Sequence, residues 1–156
     1  MKNKGQIIAL DIYEWKLAEL KRRAKRAGAH NIETRFIEDN KVIKRLHEKA
    51  DRLLIDAPCS GLGVLKRNPD SKWKIDQDFI DRIKNEQQQI LQDYSKMLKK
   101  GGKMVYATCS ILPSENNEQV ETFLKNNEGF TLLKEEKVMP SDGFDGFYMA
   151  LIQRNA

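Results

Sequence analysis

Two cysteines, Cys59 and Cys109, are the side chains of this sequence best suited to covalent chemistry. Cys59 lies in Asp56-Ala57-Pro58-Cys59-Ser60-Gly61 and Cys109 in Thr108-Cys109-Ser110. A cysteine reacts as its thiolate, and a neighbouring helix N-terminus favours that form. Cys109 stands a few residues before Pro113-Ser114-Glu115, where a first-turn proline and acidic residues suit a helix start. A single free cysteine is more often inert packing than a nucleophile. Two of them in polar, glycine-bearing loops, each directly after a strand-like run, point to a site. With only two histidines in the chain, the pair makes neither a disulfide framework nor a four-ligand zinc centre. No metal is expected, and reduced thiols suit the cytoplasm.

Positioning these cysteines is the task of the elements around them. Gln6 to Leu10 is a short apolar run ending at Asp11, and Tyr13, Leu17, Leu20, Ala24 and Ala27 then recur at helical spacing until Gly28. Thr34 to Ile37 reads as a strand, Val42, Ile43 and Leu46 as one face of a short helix, and Arg52 to Ile55 as a strand ending at Asp56. Gly61, Gly63 and Pro69 predict a flexible loop before a long helix carrying Phe79, Ile83, Ile90, Tyr94 and Met97, which Gly101-Gly102 ends. Lys103 to Ala107 is the next strand, followed by a helix marked by Val120, Phe123 and Leu124. Thr131 to Leu133 and Phe147 to Ile152 close the chain as strands. Alternating strands and helices imply an α/β fold with a mostly parallel sheet. The segment from Leu133 to Phe147 is too short for a helical crossover, so the last strand runs antiparallel. Ligands of such sheets sit beyond the carboxyl ends of the strands, where Asp11, Asp39, Asp56, Cys59 and Cys109 gather.

At 156 residues the chain reads as a single domain, 1–156. A third of the residues are charged and the mean hydropathy is −0.66, so no stretch approaches the roughly 20 apolar residues of a spanning helix. The basic start, Met1-Lys2-Asn3-Lys4-Gly5, lacks the features of a secretory signal, which again favours the cytoplasm. A net charge of +5 is compatible with a polyanionic partner without requiring one.

The run Asp56 to Asp70 followed by Lys72-Trp73, then Tyr106-Ala107-Thr108-Cys109-Ser110 with Glu115-Asn116, then Asp145-Gly146-Phe147-Tyr148, resembles the Nol/Nop/Sun family of RNA cytosine-5 methyltransferases. Within it the likeness is greatest to the ribosomal RNA small subunit methyltransferase B group. The resemblance implies a Rossmann-like class I methyltransferase sheet, S-adenosylmethionine as cofactor and RNA, ribosomal or transfer, as substrate. By the same resemblance Cys109 adds to carbon 6 of cytosine, Cys59 assists the later elimination, and Asp56 bonds the cytosine edge beside the cofactor. Asp11 would accept the ribose hydroxyls, as acidic residues do in dinucleotide sites, and Asp39 would meet the adenine. Lys66, Arg67 and Trp73, a basic pair near an aromatic, would hold phosphate and stack a base.

Simpler roles stand beside these. Asp11 also suits a helix N-cap, Asp39 a solvated loop, and Gly61-Leu62-Gly63 lacks the third glycine of a dinucleotide fingerprint. The family's first strand, its glycine-rich cofactor loop and the helix after them have no counterpart before Gln6, so the likeness covers the C-terminal part of a catalytic domain. An upstream fragment or second chain would then supply the missing strand, or the strands at Ile7 and Leu53 would close up and pair directly. The alternative function is a catalytically inactive RNA-binding or interaction module. Methylation of an exocyclic amine fits less well, because Asp56-Ala57-Pro58-Cys59 replaces the Asn/Asp-Pro-Pro-aromatic run which that chemistry resembles.

Overall fold

The computed structural model describes residues 1–156, whose contacts gather into two compact units, 1–46 and 47–156. The first unit runs β1 (Ile7–Asp11), α1 (Glu14–Arg26), β2 (Ile32–Phe36) and α2 (Asn40–Lys44). β1 and β2 pair in parallel from Ile7 opposite Ile32 to Asp11 opposite Phe36. The spacing that predicts α1 buries Leu17. Asp11 does not cap this helix. Its carboxylate accepts the N–H of Tyr13 at 2.8 Å in a local turn, and Tyr13 is the N-cap residue.

The second unit contains β3 (Ala50–Asp56), α3 (Gln77–Tyr94), β4 (Leu98–Thr108), α4 (Asn117–Asn126), β5 (Phe130–Val138) and β6 (Phe147–Arg154). Its sheet has the order β3-β4-β6-β5. β3 and β4 are parallel, and β6 runs antiparallel to both β4 and β5. The last strand is therefore antiparallel and is inserted beside β4, with β5 forming the edge. Apolar residues of β4 and β6 alternate into a core of Met104, Tyr106, Ala150 and Ile152, closed by Leu91 of α3 and Val120 and Phe123 of α4. Full burial of such side chains stabilises by roughly 1.5 to 3 kcal/mol each.

Three expectations need correction. Gly101-Gly102 does not end the long helix, which stops at Tyr94; the two glycines lie inside β4. There Ala50 faces Leu98 while Arg52 faces Lys103, so extra residues of β4 bulge out, and Gly101 supplies the left-handed φ of +72°. The segment Gly61-Leu62-Gly63 is not an irregular loop but leads into a 3₁₀ turn, Leu62–Val64, whose Gly63 is held by backbone hydrogen bonds on both sides. Direct pairing of β1 with β3 does not form, since β1 is bonded only to β2 and β3 only to β4. That pairing was expected because unpaired backbone groups are costly when buried. In β3, however, Asp51, Arg52, Leu54 and Asp56 are exposed, and water satisfies an exposed edge.

Candidate active site

Strands β3 and β4 are neighbours, so the loops leaving their carboxyl ends lie side by side. Asp56 faces Ala107 in the ladder and the N–H of Ala57 donates to the Ala107 carbonyl at 3.0 Å. Three residues beyond Asp56 and one beyond Thr108, the two cysteines meet with their Sγ atoms 3.3 Å apart. Both are half-buried, Cys59 being the more enclosed. Cys109 is lowered from the ordinary thiol value to about 7, first by the hydrogen bond it receives from Cys59, against burial and the charges of Asp56 and Glu115. Cys59 is pushed up by the same contact and by burial, so Cys109 is the first of the pair to ionise, with the remaining proton on Cys59. Asp56 is exposed beside them.

Glycine lets these loops approach so closely. The N–H of Gly63 donates to the Cys109 carbonyl at 2.9 Å, and the Gly63 carbonyl accepts from the N–H of Gly146 at 2.7 Å. A Cβ on Gly63 would fall 2.1 Å from the Gly146 carbonyl oxygen and 2.7 Å from that of Cys109. The hairpin between β5 and β6 is thus fastened to both cysteine loops. Arg67 reinforces the fastening through a 2.8 Å ion pair with Asp145.

Beneath the sulfurs lies a polar cluster that the sequence reading did not single out. The Glu115 carboxylate is fully buried and accepts from the Ser60 N–H at 2.7 Å, the Ser60 hydroxyl at 2.5 Å, the Ser110 hydroxyl, and Gln87 Nε2 at 3.2 Å. Gln87 also donates to the Pro58 carbonyl at 2.8 Å. Asn116 accepts from the Thr108 hydroxyl at 2.5 Å and donates to the Ser110 carbonyl at 2.9 Å. Two signals could have revealed the cluster. The same Cys-Ser dipeptide follows both strands, and Gln87 interrupts an apolar stripe at helical spacing, between Ile83 and Leu91.

The other candidates are dispersed. Lys66 and Arg67 are exposed, but Arg67 is engaged with Asp145, and the cation over the Trp73 ring is Lys72, 4.7 Å from its centroid. Trp73 itself is 79% exposed. In the first unit, Asp11 ends β1 with one oxygen 3.8 Å from Lys16 Nζ. Asp39 is the N-cap of α2, accepting the Lys41 N–H at 2.8 Å and pairing with Lys41 Nζ at 3.2 Å. Both are partly exposed and keep free lone pairs, so both fit acceptor roles towards ribose hydroxyls or an adenine amino group. No cluster suited to a metal ion occurs, and no helix is long and apolar enough to cross a membrane.

A mixed α/β sheet with an antiparallel strand inserted at its end, carrying its reactive groups at the carboxyl ends of parallel strands, defines a methyltransferase of the class I type. The chain belongs to the 16S rRNA methyltransferase RsmB/F family, whose profile matches residues 1–153. It is 39% identical to the ribosomal RNA small subunit methyltransferase B of Yersinia enterocolitica, over 97% of this chain and 37% of that protein. It is 37% identical to the probable ribosomal RNA small subunit methyltransferase B of Bacillus subtilis, over 83% of this chain and 29% of that protein. Among solved structures, NSun6 from Pyrococcus horikoshii with SFG superposes with a TM-score of 0.86 at 27% identity, covering 99% of this chain and 42% of that one. A methyltransferase homolog protein from the same organism gives 0.83 at 26% identity, covering 100% of this chain and 55% of that one. The chain thus spans about a third of the length of the curated relatives it matches.

Proposed function

We propose that the protein transfers a methyl group from S-adenosylmethionine to carbon 5 of a cytosine in RNA, ribosomal or transfer, through a covalent adduct on Cys109. The observation that carries this reading is the 3.3 Å contact between two sulfurs of which one, Cys109, is poised as thiolate and the other, Cys59, holds the proton. Carbon 5 of cytosine is a poor nucleophile. Addition of the Cys109 thiolate to carbon 6 moves electron density onto carbon 5 and so makes it able to attack. Asp56, exposed at the end of β3, would share a proton with N3 of the base and stabilise the adduct. S-adenosylmethionine, when bound, supplies the electrophilic methyl group. Loss of the carbon 5 proton to a base then lets the Cys109–carbon 6 bond break, returning the thiolate, and Cys59 beside it assists this elimination. Asp11 and Asp39 would hold the ribose and adenine of the cofactor, and Trp73 with Lys72 would stack an RNA base. The chemistry needs reduced thiols, which suits the cytoplasm.

The unpaired edges of β1 and β3 support a further part of this reading. An upstream fragment or a second chain supplies a strand to them, together with the loop that holds the methionine end of the cofactor.

The test is made with such a segment from a relative supplied in trans. Cys109→Ala should abolish methyl transfer, whereas Cys59→Ala should accumulate RNA covalently bound through Cys109, visible as a denaturation-resistant band. Normal turnover by Cys59→Ala together with trapping by Cys109→Ala would reverse the roles assigned to the two sulfurs.

A further inference from the structure

The reaction proposed above needs two sulfurs at a fixed separation, yet cysteine side chains on two loops have no intrinsic reason to keep one. What holds them lies one residue further along each loop. Ser60 and Ser110 follow the two cysteines, and their hydroxyl oxygens are 3.2 Å apart, beneath sulfurs that are 3.3 Å apart. Both serines bond one carboxylate, that of Glu115. Glu115 is itself fixed at its backbone: its carbonyl accepts from the Tyr106 hydroxyl at 2.8 Å, and its N–H donates to the Leu112 carbonyl at 3.1 Å. Gln87 of α3 ties the same carboxylate to the Pro58 carbonyl, just before Cys59.

Every hydrogen-bond partner of this carboxylate is neutral. A buried carboxylate without a cation is costly, and its hydrogen bonds offset that cost only when they are complete. An apolar residue would fill the same core space more cheaply. The expense is understandable if the carboxylate does something that an apolar residue cannot, which is to accept from both loops at once.

We propose that Glu115 is the positioning residue of the thiol pair: its carboxylate, bonded to the serine after each cysteine, sets the separation of Cys59 and Cys109. This rests on the reading of Cys109 as nucleophile, but it can be tested without RNA or cofactor. Among the groups acting on Cys109, the Cys59 hydrogen bond lowers it most, while the charges of Asp56 and, least, Glu115 raise it. Loss of the clamp lets the sulfurs part, and Cys109 returns towards an ordinary thiol.

The experiment measures iodoacetamide capture at each cysteine against pH, resolved by mass spectrometry, on the 156-residue chain. In the wild type, Cys109 should be half-reactive at about pH 7 while Cys59 stays inert. Glu115→Ala should raise the Cys109 midpoint towards about 8.5, roughly a fifteenfold loss of thiolate at pH 7, because loss of the Cys59 hydrogen bond outweighs removal of the Glu115 charge, which by itself lowers Cys109. Glu115→Gln should retain a low midpoint, because its amide oxygen still accepts the Ser60 N–H and its amide nitrogen can donate to a rotated hydroxyl. Cys59→Ala should reproduce the upward shift by removing the proton donor. If Glu115→Ala fails to fold, as judged by circular dichroism, the Ser60→Ala/Ser110→Ala double variant removes the hydroxyl contacts with little change in volume and should raise the midpoint as well. A folded Glu115→Ala, or failing that the double variant, with an unshifted Cys109 midpoint would overturn the proposal. So would a shift on Cys59→Ala with none on either clamp variant. Absence of methyl transfer to cytosine would instead count against the proposed function and leave this titration standing.

Discussion

Replacing Gly63 by alanine should damage this protein far more than a one-methyl change normally does. The added Cβ would meet backbone atoms on two sides, the Gly146 carbonyl oxygen at 2.1 Å and the Cys109 carbonyl oxygen at 2.7 Å. Neither is the movable end of a flexible side chain, so relief requires the hairpin and the Cys109 loop to separate. Separation breaks the Gly63 to Cys109 and Gly146 to Gly63 hydrogen bonds. Overpacking of a tight contact costs about 1 to 3 kcal/mol, and two backbone hydrogen bonds add roughly 0.5 to 1.5 kcal/mol each. The sum, about 2 to 6 kcal/mol, is a large part of a total stability that is typically about 5 to 15 kcal/mol.

Urea unfolding followed by circular dichroism reads this directly. With a slope of about 2 kcal/mol per molar, the midpoint should fall by about 1 to 3 M. Gly129→Ala is the matched control, since a Cβ there meets nothing within 4 Å and should stay within about 0.5 kcal/mol of wild type. Gly63→Ala with wild-type stability would mean that the hairpin is not fastened to the cysteine loops, and the close approach that organises the site would be wrong.

S-adenosylmethionine should bind the chain alone only weakly, because Asp11 and Asp39 can serve the ribose and adenine but not the methionine end; low-micromolar affinity by calorimetry, about 8 kcal/mol, would refute this. Adding a segment that carries the family's glycine-rich loop should raise the affinity, and no increase would count against a supplied strand and loop. Trp73→Ala should weaken binding of single-stranded RNA by about 1 to 3 kcal/mol, the value of one stacked base, with unchanged folding by circular dichroism; unaltered affinity in a filter-binding assay would remove Trp73 from the RNA surface.

The parts of the fold legible in the sequence are those set by local pattern. β3 and the second half of β4 are short apolar runs closed by polar residues, and each cysteine follows within three residues, so their placement at one sheet edge could be read without coordinates. The Gly101-Gly102 pair resembles a helix end because glycines after a helical pattern usually mark one, whereas here Gly101 supplies the left-handed backbone of a bulge in a strand. The clamp is legible only in part, for a different reason. Ser110 and Glu115 are 5 positions apart, but Ser60 and Glu115 are 55 apart and Gln87 and Glu115 are 28 apart, so no local window contains the whole cluster. Glu115 read alone is a first-turn acid, and Gln87 read alone is one polar residue on a long helix. Their meaning depends on convergence that only the packed sheet creates.

The two edges of the second unit's sheet show how differently one chain can treat exposed backbone. β5 is an edge whose middle is Lys134-Glu135-Glu136-Lys137, a run of exposed charges of the kind that discourages pairing with another strand. β3 is also an edge, yet it carries Leu53-Leu54-Ile55, and Leu54 is 69% exposed. Its charges, Asp51, Arg52 and Asp56, lie towards its ends and its centre is apolar, with no proline, and its hydrogen bonds to β4 are on the other side. A strand shaped as a permanent edge would resemble β5, whereas β3 has the apolar sequence of a strand covered on both sides. β1, paired only with β2, is similarly apolar from Ile7 to Leu10, with Ile7 39% exposed. The thiol pair, its glycine fastening and its carboxylate clamp all lie within residues 47–156 and are complete there, while the acceptors suited to the cofactor's ribose and adenine, Asp11 and Asp39, belong to 1–46. The geometry of the nucleophile is therefore built from one unit alone, without the apolar edges of β1 or β3.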